Sequence, residues 1–432
     1  MKVVKILKDK EKTKKTLEIV IPIIIAVIAV VFFAITGHVT KSLDGEHPTE
    51  EKTTEEVTEK EHSTIGTSKV SLVAVGDNLI HNTLIESGQK KDGTFDYSGF
   101  YKNIKNDISS ADIAVINQET RLGGAEFEYK GYPCFNTPWE VGTAAIDAGF
   151  DIFTCATNHS MDIGFAGIEQ ECKFFDRHPE VVHVGTNDTE DDYNSIIYYT
   201  KNDIKFAILN YTYGTNGISI PKDKPWCVNM MDKDKITSDV KAAKENADVV
   251  IVFPHWGTEN STSVSNYQKE YTKLFSELGV DIVIGTHPHV LQPVEWVTNE
   301  ETGKKMLVYY SLGNFISHQT SLNQLCGGMA KITIEKSNGE ITISSAKLVP
   351  VVCWYRSTSN AYNFTVYKLS DYTDDIAEQH HQKGATKKYF TDYSKGIVSD
   401  EFLEINWFFN SAKYTNIKNY VANSCICKKM PV

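Results

Sequence analysis

Short apolar runs rich in Val and Ile recur between residues 69 and 348, separated by longer polar or amphipathic stretches. The runs at 69–75, 112–116, 151–156, 181–184, 204–211, 248–253, 280–284 and 305–310 have the length and β-branched content of buried strands. Helical spacing fills several gaps, around 101–108, 139–148, from Phe165 onward, 233–246 and 265–278. Two alternating strands follow at 329–334 and 340–348. Alternation of apolar strand and helix predicts βαβ crossovers, an α/β class, with helices covering both sheet faces.

The residues that close these runs carry the candidate chemistry. Gly76-Asp77 ends the first, Asn117-Gln118-Glu119 the second and Thr157-Asn158-His159 the third. Later runs end in His255-Trp256-Gly257, in Gly285-Thr286-His287-Pro288-His289 and in Ser311-Leu312-Gly313-Asn314-Phe315. Ligands of parallel α/β folds sit outside the carboxyl ends of the strands, and neighbouring strand ends share one rim. Asp77, Asn117 or Glu119, Asn158, His159, His255, His287 and His289 therefore predict a metal or catalytic rim. Trp256 is a candidate for stacking on a ligand, although filling the floor of a site is the commoner work of a tryptophan. Ser311 to Phe315, with Asn314, reads either as part of the rim or as a tight turn. His178 and His183 fall outside the pattern and read as packing or surface histidines. No Walker-type phosphate loop, Gly-x-Ser-x-Gly elbow or catalytically placed cysteine occurs.

Both ends of the chain differ in character. Residues 17–36 form an almost purely apolar run long enough to cross a bilayer. Seven lysines precede it, which predicts a cytoplasmic tail at 1–16, an uncleaved anchor and an extracellular main domain. The competing reading is a cleaved signal peptide, against which stand the length of the run and the poor cleavage site Ala34-Ile35-Thr36-Gly37. Residues 37–67, rich in Glu, Thr and Lys, predict a disordered tether. A main domain is expected at 68–350. Residues 351–432, with aromatic groups such as Trp354 and Trp407-Phe408-Phe409, are expected to form an accessory segment.

Charge narrows the partners. The formal net charge is −12 even though residues 1–40 carry an excess of lysine, so a nucleic-acid-binding face is not expected. Eight cysteines are scattered without the spacing of a metal finger or a disulfide framework, and Cys155 reads as a small packing residue.

Taken as an ordered set over about residues 70–349, the strand-end motifs resemble the capsule-synthesis protein A family, also called poly-γ-glutamate biosynthesis proteins, which is related to the calcineurin-like metallophosphoesterases. The resemblance implies a four-layer α/β/β/α sandwich and a role in making, tethering or exporting an anionic capsule polymer such as poly-γ-glutamate, with membrane synthases as partners. It also implies that Asn158, His255 and His287 hold one divalent cation, that Asp77 and His289 hold a second, and that Glu119 bridges them. His159 would serve as general acid or orient a leaving group. Imidazole and oxygen ligands suit Mn, Fe or Zn. The chain departs from the phosphoesterase pattern at two motifs: Asp77 is followed by Asn78-Leu79 where Asp-x-His is expected, and Asn117 and Glu119 stand where a bridging Asp is expected. One ion or two both fit. The readings that follow are a capsule-assembly component, a free-standing metal-dependent phosphoesterase, and a non-catalytic polymer-binding scaffold.

Overall fold

A computed structural model of the protein describes residues 67–358 and 361–405. The expected tail at 1–16, the anchor at 17–36, and all but the last residue of the expected tether lie outside the described residues, as do 406–432. Among the described residues no helix is long and apolar enough to cross a membrane.

Among the described residues, fourteen strands build two sheets. The first has the order β14-β13-β12-β1-β2-β3-β4, with β11 beside the end of β1. Its parallel half is β1 (Ser68–Asn78), β2 (Ile113–Gln118), β3 (Ile152–Thr154) and β4 (Val182–Val184). β11 (Asn314–Ile316) continues it, and β12 (Cys326–Ser337), β13 (Glu340–Ser357) and β14 (Tyr362–Lys368) form an antiparallel half. The second sheet has the order β5-β6-β7-β8-β10-β9. It comprises β5 (Ile197–Lys201), β6 (Ile204–Thr212), β7 (Val249–His255), β8 (Ile282–Ile284), β9 (Val294–Thr298) and β10 (Lys305–Tyr309).

Side chains alternate across a strand, and the second sheet displays this directly. Phe206, Ile208, Val249, Ile251, Ile282 and Leu307 join the core built by the first sheet. Their neighbours Ala207, Leu209, Val250, Val252, Val283 and Met306 pack instead with two helices on the opposite face. Burial on both faces is why these parallel strands read as unbroken apolar runs rather than alternating ones.

Four helices bury apolar residues in the core of the first sheet: α1 (Asn82–Gly88), α2 (Lys105–Ser109), α3 (Trp139–Ala148) and α4 (Gly164–Asp176). A short α5 (Glu190–Tyr193) precedes β5. The second sheet is covered by α6 (Lys233–Asn246) and α7 (Asn266–Leu278). α7 starts at a full capping box, Ser265 with Gln268, and ends at Gly279 in the left-handed region.

The boundary expected at residue 350 falls inside β13, which runs unbroken from 340 to 357 and pairs with both β12 and β14. α8 (Asp374–Glu378) and α9 (Lys387–Ile397) follow, and Phe390, Val398 and Phe402 enter the main core. Through residue 405 this region is thus built into the first sheet rather than added to it.

His380 anchors part of that region in a form that requires a neutral ring. Its Nε2 donates to the Cys353 carbonyl (3.2 Å), and its Nδ1 accepts from the backbone N–H of Gln382 (2.9 Å). Burial lowers its pKa from 6.5 to about 4. The folded state therefore binds fewer protons than the unfolded chain between these values, so this stability is complete above pH 6.5 and is lost as pH falls toward 4. The contribution is up to about 3 kcal/mol at about 1.4 kcal/mol per unit. Urea titrations across this window should show His380→Gln flattening the pH slope; an unchanged slope would remove His380 from the acid response.

Candidate metal centre

The rim is assembled where parallel strands of both sheets end. Gly76 lets β1 approach β11, since a Cβ there would meet the Gly313 carbonyl oxygen at 1.8 Å. Asp77 and Asn314 thereby become register partners. Gly285 plays the same part after β8, where a Cβ would lie 2.2 Å from the Tyr310 carbonyl oxygen. The chain then turns through His287 at φ +96° and His289 at φ +59°. A non-glycine residue in the left-handed region costs about 1–3 kcal/mol, and such strain collects at functional sites.

At the centre stands Glu119, just past β2, fully buried with neither carboxylate oxygen hydrogen-bonded. Its Oε1 lies 3.7 Å from His255 Nε2 and 3.8 Å from His289 Nε2. Ligand-type atoms of Glu119, His287 and His289 all fall within 4.8 Å of one another. His287 Nδ1 is likewise buried without a partner. The 3.7 and 3.8 Å separations exceed hydrogen bonds, yet they suit atoms that share one ion at about 2.0–2.2 Å each.

Surrounding groups hold the imidazoles in place. Asp77 Oδ2 (2.9 Å) and Asn314 Oδ1 (3.1 Å) both face Nδ1 of His289, which must carry the proton and leaves Nε2 toward Glu119. The other oxygen of Asp77 accepts from Asn117 Nδ2 at 2.9 Å, and the side-chain Oδ1 of Asn117 accepts from Thr154 Oγ1 at 3.0 Å. Asp77 thus stands behind His289 as an orienting carboxylate, and Asn117 orients Asp77. His255 Nδ1 pairs with Thr286 Oγ1 (3.0 Å), and its Nε2 faces Asn158 Oδ1 (2.9 Å).

The electrostatics follow from this burial. Desolvation and the Asp77 charge push Glu119 well above the usual carboxylate range. Burial and neighbouring imidazoles hold His255 and His287 well below the ordinary histidine value, so both are neutral. Burial also works against a charge on His289, but Glu119 and Asp77 outweigh it and raise the group to about 9.

His159 lies beside this group, and its Nδ1 faces Asp162 Oδ2 at 2.7 Å. The same oxygen accepts from the Phe135 N–H (2.7 Å), which fixes the carboxylate, and the Phe135 ring meets the imidazole edge-on at 4.7 Å. Trp256 departs from the expected site role. One residue beyond His255, it projects to the opposite face, packs near Phe275 and donates its indole N–H to the Tyr310 carbonyl (2.9 Å). His183 is a packing residue stacked on Phe175 at 4.6 Å.

Three residues that matter here escaped the sequence reading. Tyr213, partly exposed, places its ring 4.5 Å from His287, and Asn216 accepts from Asn158 Nδ2 at 3.2 Å. Both lie past the end of β6, a strand whose polar exit, Thr212 to Asn216, was a readable signal. The third, Arg121, forms a fully buried ion pair with Glu171.

A buried carboxylate without partners, an orphaned imidazole nitrogen and two further imidazole nitrogens aimed inward form a donor set that fits a divalent cation.

The comparisons with known proteins agree with the strand-end motifs. Residues 71–319 match the family described as "Bacterial capsule synthesis protein PGA_cap". The chain is 32% identical over 185 residues to the capsule biosynthesis protein CapA of Bacillus anthracis, covering 42% of this chain and 43% of that protein. It is 31% identical over 175 residues to the PGA biosynthesis protein CapA of Bacillus subtilis (strain 168), covering 40% and 44%. The matched stretch thus spans less than half the length of either relative. Among solved structures, the calcineurin-like phosphoesterase YfkN of Bacillus subtilis aligns with 83% of this chain and all of its own, at 15% identity and a TM-score of 0.42.

Proposed function

We propose, from the premise that this chain belongs to the bacterial capsule synthesis protein family PGA_cap, that it works in the assembly or export of an anionic capsule polymer such as poly-γ-glutamate through a metal site at its strand ends. In this reading residues 17–36 anchor the chain in the cell membrane with the main domain outside, where it meets polymer and membrane synthases. The apolar run and the lysines before it support that placement.

The observation that carries the metal reading is the Glu119 carboxylate, buried without a partner among imidazole nitrogens. Glu119, His287 and His289 hold the ion, with His255 and Asn158 completing the set. Asp77 fixes the tautomer of His289 and is not itself needed as a ligand, so a single tightly held ion is the simpler stoichiometry. Manganese, iron or zinc fits these donors. When bound, such an ion polarises a phosphoryl or carboxyl oxygen and activates water.

His159 favours hydrolysis over a purely binding role. Asp162 holds its Nδ1, leaving Nε2 to deliver a proton to a leaving oxygen or to orient it. Metal content and phosphodiester turnover of the purified full-length chain test this. His159→Asn should keep the metal and lower turnover by about 10²–10⁴-fold. Stoichiometric metal without wild-type turnover would instead support a polymer-binding scaffold, and absence of metal would reject the site.

A further inference from the structure

We propose that Arg121, with Glu171, is a positioning residue that sets the Glu119 carboxylate for metal binding. The inference rests on the metal reading above and concerns residues outside the donor set. Because neither oxygen of Glu119 is held by a hydrogen bond, the hydrogen bonds that fix this residue are those of the backbone around it. Arg121 controls this backbone. Its Nη2 donates to the carbonyls of Gln118 (3.1 Å), the residue before Glu119, and of Cys155 (2.8 Å), just past β3. One guanidinium thus joins the strand end that presents Glu119 to the one that presents Asn158.

The guanidinium is in turn fixed from behind. Nη1 donates to Glu171 Oε2 on α4 (2.6 Å), which also accepts from Thr186 Oγ1 beyond β4 (3.0 Å). Glu171 Oε1 accepts from the Leu122 N–H at 3.4 Å. A second tie reaches Glu119 from the β3 side, where Thr157 Oγ1 donates to its carbonyl oxygen at 3.0 Å. Both charged partners have 0% side-chain exposure. A pair so buried is a weak source of fold stability, since apolar replacements of similar volume are often neutral or stabilising. What apolar side chains cannot supply is the planar fork whose Nη2 grips two carbonyls on neighbouring strand ends while Nη1 is held by Glu171.

Mn(II) affinity of the full-length chain, measured by calorimetry and chelator competition beside the ion-free thermal midpoint, separates positioning from stability. The double variant Arg121→Met/Glu171→Leu removes both charges together and should keep the ion-free midpoint while binding Mn(II) about 10–100-fold more weakly, the usual cost of losing support behind a metal ligand. Arg121→Lys, which keeps the charge but not the fork, and Thr157→Val, which cuts the second tie, should each weaken binding severalfold. Should the double variant not fold, these two decide. Wild-type affinity in folded variants would overturn the positioning role alone, whereas a wild type that binds no Mn(II) and no Zn(II) would overturn the metal reading beneath it.

Discussion

Glu119→Gln is expected to abolish metal-induced stabilisation while making the ion-free protein more stable. The wild type keeps a carboxylate away from water with no donor on either oxygen and with Asp77 nearby. Such a group is costly until a cation reaches it. Glutamine keeps the shape and removes the charge, so the ion-free fold should gain on the order of 1 kcal/mol, the scale of an unsatisfied buried group. With metal at a hundredfold excess over the dissociation constant the wild type should gain about 2.7 kcal/mol and the variant none. Thermal midpoints with and without Mn(II) read both effects. A variant that still responds to metal would show that the ion sits elsewhere.

The largest loss of stability is expected from breaking the Arg121–Glu171 pair on one side only. Arg121→Met leaves Glu171 with no cation and with burial pushing its carboxyl pKa up. An uncompensated buried charge costs about 3–5 kcal/mol, so the urea midpoint should fall sharply. Adding Glu171→Leu should return most of that loss. Equal midpoints for the single variant and the wild type would mean that water or a shifted proton relieves the stranded carboxyl.

The candidate site was largely legible because parallel strands advertise themselves as apolar runs and expose their chemistry at one end. Asp77, Glu119, Asn158, His255, His287 and His289 each follow such a run, and the fold brings them together. Arg121 and Glu171 were not legible: fifty positions apart, neither sits in a motif, and only the packing of α4 behind two strand ends makes them partners. The positive φ values of His287 and His289 were hidden too, because no glycine marks them. Trp256 misled for a local reason, since one step along the chain past His255 changes the face to which a side chain points. The late strand β14 and helix α9 carry mixed polar and aromatic residues, and their place becomes clear only once β13 crosses residue 350.

The candidate donors come from both halves of the sandwich. Glu119 and Asn158 hang from the first sheet, while His255, His287 and His289 hang from the second. An ion shared among them would add a cross-link between two layers already joined by a shared apolar core and by polar ties such as Asp77 to His289 and Ala156 N–H to Asn210, and it would reward only the chain whose sheets have already docked in register. Occupancy of the site would therefore report on the whole domain: a defect far from the rim that lets one sheet slide against the other would empty it before any strand came apart.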